Sequence, residues 1–172
     1  MKIAVTGEIG SGKSELMELA AANPAFACFS ADTVNAGLLN DGVYLERLRA
    51  AFPAAFPEGR LSKTLLADII FKDAAKRKLL NSIAHPEIAR IIKGLALEAE
   101  ALGKIVLLEV PLLLESGLTD MFDKIILVKA SSEKRAERIT KRNGITLVQA
   151  AARIRSQNQD TVLESFAESV IE

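Results

Sequence analysis

The stretch Gly7-Glu8-Ile9-Gly10-Ser11-Gly12-Lys13-Ser14 constrains this chain more than any other. It follows the short run Lys2 to Val5, which reads as a buried strand, and precedes Leu16, Leu19 and Ala20, which recur at helical spacing until Asn23-Pro24. Strand, glycine-rich turn and helix in that order form the start of a βαβ unit. The spacing G-x-x-x-x-G-K-[ST] is met at every specified position. Glycines let successive backbone N–H groups turn inward around a phosphate, and the helix that follows directs its positive end at the same anion. Lys13 is then placed to reach the β and γ phosphates of a nucleoside triphosphate, and the Ser14 hydroxyl to ligate Mg²⁺. A strand–helix turn with a solvated lysine is the plainer alternative. The position of the motif favours the phosphate site.

The rest of the chain alternates short apolar runs with helical patterns. Ala25 to Phe29 reads as a second strand, with Ser30-Ala31-Asp32 at its carboxyl end and a helix through Leu38 and Leu39 beyond it. Apolar stripes at Leu45, Leu48 and Phe52, at Leu65, Leu66, Ile69 and Ile70 after a Ser62 cap, and at Leu79, Leu80 and Ile83 predict three further helices. A separate long helix is expected from Pro86 to Leu102, ending at Gly103, which leaves His85 between two helices. Ile105 to Val110 and Lys124 to Val128 are near-continuous apolar runs, as central parallel strands require. Ser132 to Asn143 reads as a polar helix closed by Gly144, and Thr146 caps another through Ser156. Val162 to Ile171 fits helix or strand equally. The predicted architecture is α/β, an open parallel sheet of about five strands flanked by helices, of the P-loop NTPase type. Residues 1–35 and 103–172 form its nucleotide-binding core, 36–102 a helical insertion and about 132–157 a helical lid.

Composition removes several classes of function. Lys and Arg number 22 and Asp and Glu 22, so the net charge is zero and no broad field is present to wrap nucleic acid. Cys28 and His85 are single, which excludes a disulfide framework and a cysteine- or histidine-rich metal centre. No run reads as a membrane span or targeting segment, so a cytoplasmic protein is expected. A lone thiol fits that reducing compartment. Asn-Lys-x-Asp base-recognition motifs are absent, which weighs against a signalling GTPase.

A kinase needs a group that orients and deprotonates the acceptor hydroxyl. Asp32, just beyond a strand's carboxyl end, is the leading candidate, with an N-cap for a helix starting at Thr33 as its alternative. Glu109 ends an apolar strand where an acid would hold Mg²⁺ or one of its waters; Glu115 follows nearby, and either also reads as an ordinary exposed carboxylate. Arg138 and Arg142 stand four apart and share a helix face suited to ATP phosphates, with Arg135 expected on another face. A solvated basic face is the competing reading.

Taken together these features resemble the dephospho-coenzyme A kinase family. The resemblance rests on the glycine motif, on Ser30-Ala31-Asp32 where the family has Asp-Ala-Asp, and on Leu80-Asn81-Ser82-Ile83-Ala84-His85-Pro86. It rests also on Val110-Pro111-Leu112-Leu113-Leu114-Glu115 and on Ala152-Arg153-Ile154-Arg155-Ser156-Gln157. The first motif is common to many kinases; the ordered set of four downstream motifs is specific and spans nearly the whole chain. It implies ATP-dependent phosphorylation of the ribose 3′-hydroxyl of dephospho-coenzyme A, with Mg²⁺. Asp32, Lys13 and Arg142 would be catalytic; Gly7, Gly10, Ser11, Gly12, Lys13, Ser14, Glu15 and Arg138 would bind the nucleotide; Ser14 and Glu109 would hold the metal. The insertion would take the acceptor. Departures from the family pattern are Glu8 and Glu15 in and after the turn, Ser30, Ala36 and Asn143, and an end at Glu172 where the family continues toward an Asn-x-Gly turn near the adenine. They leave a nucleotide-binding module with little transfer, or another small-molecule kinase, as the rival readings.

Overall fold

Continuous apolar runs become the strands of one parallel sheet. The computed structural model describes residues 1–111, 113, 118–155 and 160–172. The strands are β1 (Lys2–Thr6), β2 (Phe26–Ser30), β3 (Ile105–Glu109), β4 (Lys124–Val128) and β5 (Ser169–Ile171). Their order is β2-β3-β1-β4-β5, every pair parallel. The helices are α1 (Lys13–Ala21), α2 (Ala31–Leu38), α3 (Gly42–Ala51), α4 (Lys63–Lys72), α5 (Ala74–Ala101), α6 (Ser132–Asn143), α7 (Leu147–Arg155) and α8 (Asp160–Phe166). Two compact units result: Met1–Ala31 with Leu95–Glu172, and Asp32–Gly94.

In the first unit the two sheet faces follow from strand alternation. Ile3, Val5, Leu107 and Val128 pack with Met17 of α1, joined by Leu16, Ala20, Phe26 and Cys28. Burial pushes the Cys28 thiol up in pKa, as for a small core residue. On the opposite face Val106, Ala27 and Phe29 meet Ala96 and Ala99, from the end of α5. The adjacent strands β1 and β3 send their chains to opposite edges of the sheet, β1 toward β2 and β3 toward β4. Ligand crevices in open α/β sheets form outside the carboxyl ends of such a pair. The glycine turn begins there.

The second unit is helical around Leu38, Tyr44, Leu48, Phe52, Ala55, Phe56 and Ala84. Asp41 caps α3 by accepting from Tyr44 N at 2.8 Å, and Ser62 caps α4 by accepting from Leu65 N at 3.3 Å.

Three expectations change. The break expected at His85-Pro86 is absent: α5 runs unbroken through both residues. Proline in a helix interior costs about 3 kcal/mol. Here Ala84 is buried and Leu80, Ile83, Ile88 and Ile91, on both sides of the proline, pack partly buried on the same core, so apolar burial on either side offsets that cost. Helix α2 starts at Ala31, with no loop after β2, so Asp32 lies inside its first turn and not at a cap before Thr33. The ambiguous C-terminal segment divides into the end of α8 and strand β5. Glu115, Ser156 and Gln157 lie outside the described residues. Among the described residues no helix is long and apolar enough to cross a membrane.

Candidate nucleotide-binding site

Three glycines shape the turn between β1 and α1. Gly7, Gly10 and Gly12 have φ of 143°, 79° and 108°, a region that L side chains rarely adopt. Space forbids side chains as firmly as torsion does. A Cβ on Gly7 would stand 2.2 Å from the carbonyl oxygen of Val128, at the end of β4. Gly12 occupies the N-cap of α1, and no side chain caps that helix. Its first N–H groups are therefore left to an anion.

Lys13 is 8% exposed, and its Nζ donates to the carbonyl oxygens of Gly7 at 2.8 Å and Glu8 at 3.1 Å. The ammonium thus lies folded back over the turn. The Ser11 hydroxyl is buried without a hydrogen-bond partner among the described residues. A buried polar atom of that kind is costly unless a ligand or water meets it. Ser14, at the start of α1, is exposed. Glu109, half-buried at the end of β3, pairs in register with Val5 of β1 and Ser30 of β2. The strand alternation puts it on the α1 side of the sheet. Glycine cradle, uncapped helix, buried hydroxyl and hard oxygen donors fit a polyphosphate with a divalent cation.

Helix α6 supplies the back of this turn. Its N-cap, Ser131, accepts from Lys134 N at 3.3 Å, and its end is closed by Gly144 in left-handed backbone. Arg138 donates to the carbonyl oxygens of Gly10 at 3.2 Å and Ser11 at 3.0 Å, and to Glu15 Oε2 at 3.3 Å. Arg135 donates through Nε to Ile9 O at 3.0 Å and forms an ion pair with Glu8. The expectation that Arg135 sits on another face is overturned. Residues three apart on a helix are neighbours, so Arg135 and Arg138 reach the turn together. Arg142 is exposed, and its Nε donates to Asn143 Oδ1 at 3.0 Å.

The first unit therefore gathers Gly7, Gly10, Ser11, Gly12, Lys13, Ser14, Glu15 and Arg138 in one place, with Glu109 at the strand end beside it. Asp32 follows two residues after Ser30 as an exposed side chain at the head of the second unit. The Glu8–Arg135 pair is what sequence reasoning missed. A carboxylate inside a glycine turn and an arginine three residues before Arg138 were its visible signals.

A family model described as dephospho-CoA kinase matches residues 1–172. The dephospho-CoA kinase of Thermobifida fusca is 34% identical over 175 residues, which take in 100% of this chain and 86% of that protein. Among solved structures, TT1252 from Thermus thermophilus aligns with a TM-score of 0.87 at 32% identity, covering 99% of this chain and 86% of that one. The dephospho-CoA kinase from Campylobacter jejuni aligns with a TM-score of 0.71 at 27% identity, covering 99% and 88%. A match of this extent, on a chain whose phosphate turn is intact, has one reading: the chain belongs to the dephospho-CoA kinase family.

Proposed function

We propose that the glycine turn, Lys13, Asp32, Arg138 and Arg142 carry out the ATP-dependent phosphorylation of dephospho-coenzyme A that family membership assigns to this chain. The observation that carries the reading is the cradle itself: three positive-φ glycines, a helix with no side-chain cap, and a buried lysine aimed into the turn. The turn's N–H groups and Lys13 hold the β and γ phosphates, and Arg138 exchanges its loop carbonyls and Glu15 for phosphate oxygens. Ser14 and Glu109 would hold Mg²⁺, which screens phosphate charge when bound.

The ribose 3′-oxygen forms the new bond to the γ-phosphorus as the bond from that phosphorus to the β–γ bridging oxygen breaks. ADP leaves with that electron pair. The hydroxyl proton passes to the Asp32 carboxylate. Arg142 stabilises the transferring group with a planar fork that lysine lacks. The second unit takes the acceptor. The partners under this reading are ATP and dephospho-coenzyme A in the cytoplasm, with neither nucleic acid nor membrane involved.

Asp32→Asn tests the central role. Asparagine keeps the size of aspartate but takes up the proton poorly. Because Asp32 is exposed and lies inside the first turn of α2, the variant should melt as the wild type does and bind ATP normally, while transfer falls by roughly 10²-fold or more, within the range for general-base loss. Single-turnover transfer beside an ATP titration reads both halves. Transfer at the wild-type rate contradicts the role.

A further inference from the structure

Glu8 brings a negative charge into a turn whose geometry suits a negative ligand. Its side chain is buried, with the residue 5% exposed, and burying an ionised carboxylate is costly without a partner. The guanidinium of Arg135, itself 4% exposed, forms an ion pair with it. Arg135 is fixed a second time by its Nε hydrogen bond to Ile9 O. The backbones touch as well: a Cβ on Gly10 would stand 3.0 Å from the carbonyl oxygen of Arg135 and 3.2 Å from its Cα. The first half of the turn thus rests on α6 with opposite charges facing each other inside the contact.

We propose that the buried Glu8–Arg135 pair is a charge-balancing positioning device of the nucleotide site, in which Arg135 cancels the carboxylate carried by the phosphate-binding turn and Glu8 keeps the guanidinium against the back of that turn. Both are positioning residues and neither touches reacting atoms. The proposal rests on the nucleotide-site reading of the turn. It has a direction that a purely structural contact lacks. Removing the arginine's charge takes a positive charge from beside the turn and disfavours polyphosphate, whereas removing the carboxylate's charge takes a negative one and does not. A pair that only held the loop's shape would give losses of one sign from both changes.

Calorimetric titration of ATP with Mg²⁺ into the folded variants, with thermal melts alongside, decides the matter. Arg135→Gln should weaken ATP binding by about tenfold or more, and Glu8→Gln should bind no more weakly than the wild type. The double variant, neutral at both positions, should return to within about threefold of the wild type, as coupled charges do. Arg135→Lys keeps the charge and loses the fork; it should hold ATP within about threefold even where its melting temperature drops. Those last two variants keep the test decisive if a single neutral variant fails to fold. Equal weakening by Arg135→Gln and Glu8→Gln, or an Arg135→Lys variant as weak as Arg135→Gln, would overturn the proposal. A wild-type protein that binds no ATP would overturn the nucleotide-site reading itself, and this proposal with it.

Discussion

Lys13 shows how much one residue is asked to do. Its ammonium has three donors, and two carbonyls of the turn already hold it in place. Holding a cation in position before the phosphates arrive reduces the reorganisation needed when charge shifts during transfer. Lys13→Ala should therefore lower turnover by roughly 10²-fold or more, as losses of single electrostatic contacts do, and leave a cooperative thermal transition. Steady-state turnover and a melting curve check both parts, and near-normal turnover contradicts the assignment. The place of Lys13 at the glycine turn was legible because the G-K-S spacing is a local property of the chain. Arg135 was not. Which arginines of α6 face the turn depends on the rotation at which the helix docks, and fully buried Ile139 helps set that rotation through tertiary packing.

Among the elements, α5 is where local rules and packing disagree. Proline removes a donor and its ring crowds the preceding turn, so His85-Pro86 reads locally as a break. Packing on both sides of it makes a single helix of 28 residues. Caps were easier to read: Ser62, Thr146 and Gly144 act through their own neighbours. Gly94 within α5 is exposed, and nothing lies within 4 Å of where its Cβ would be. Gly94→Ala should stabilise the protein by about 0.5–1 kcal/mol through reduced entropy of the unfolded chain, read as a higher denaturant midpoint at unchanged slope. A lower midpoint would mean the site is not open. Glu87 joins α3 to α5 by accepting from Arg47 at 2.6 Å and Arg90 at 3.1 Å. These hydrogen bonds, from Arg90 first and then Arg47, hold its carboxyl below the usual 4.5. The stabilisation is present above that value and is lost as pH falls through the lowered one. Glu87→Gln should melt slightly below the wild type at neutral pH, and the gap should close in acid and in high salt. A gap that persists in acid contradicts the ion-pair origin.

For the whole molecule, the parallel α/β class was legible because strands with near-continuous apolar runs must be covered on both faces. The order β2-β3-β1-β4-β5 was not, since it depends on pairings between residues as distant in sequence as Ile3 and Lys124. That order puts Glu109 beside the strand that leads into the glycine turn, a relation invisible in a linear reading. The chain divides into a sheet-bearing unit and a helical unit. In the reaction of this family ATP's γ-phosphoryl group goes to dephospho-coenzyme A. ADP release should therefore be followed with dephospho-coenzyme A, shikimate, nucleoside monophosphates or no acceptor, with mass spectrometry of the product. Release is expected only with dephospho-coenzyme A, matched by one added phosphoryl group on that molecule; equal release without acceptor, or preferential transfer to shikimate or a nucleoside monophosphate, would contradict transfer to dephospho-coenzyme A.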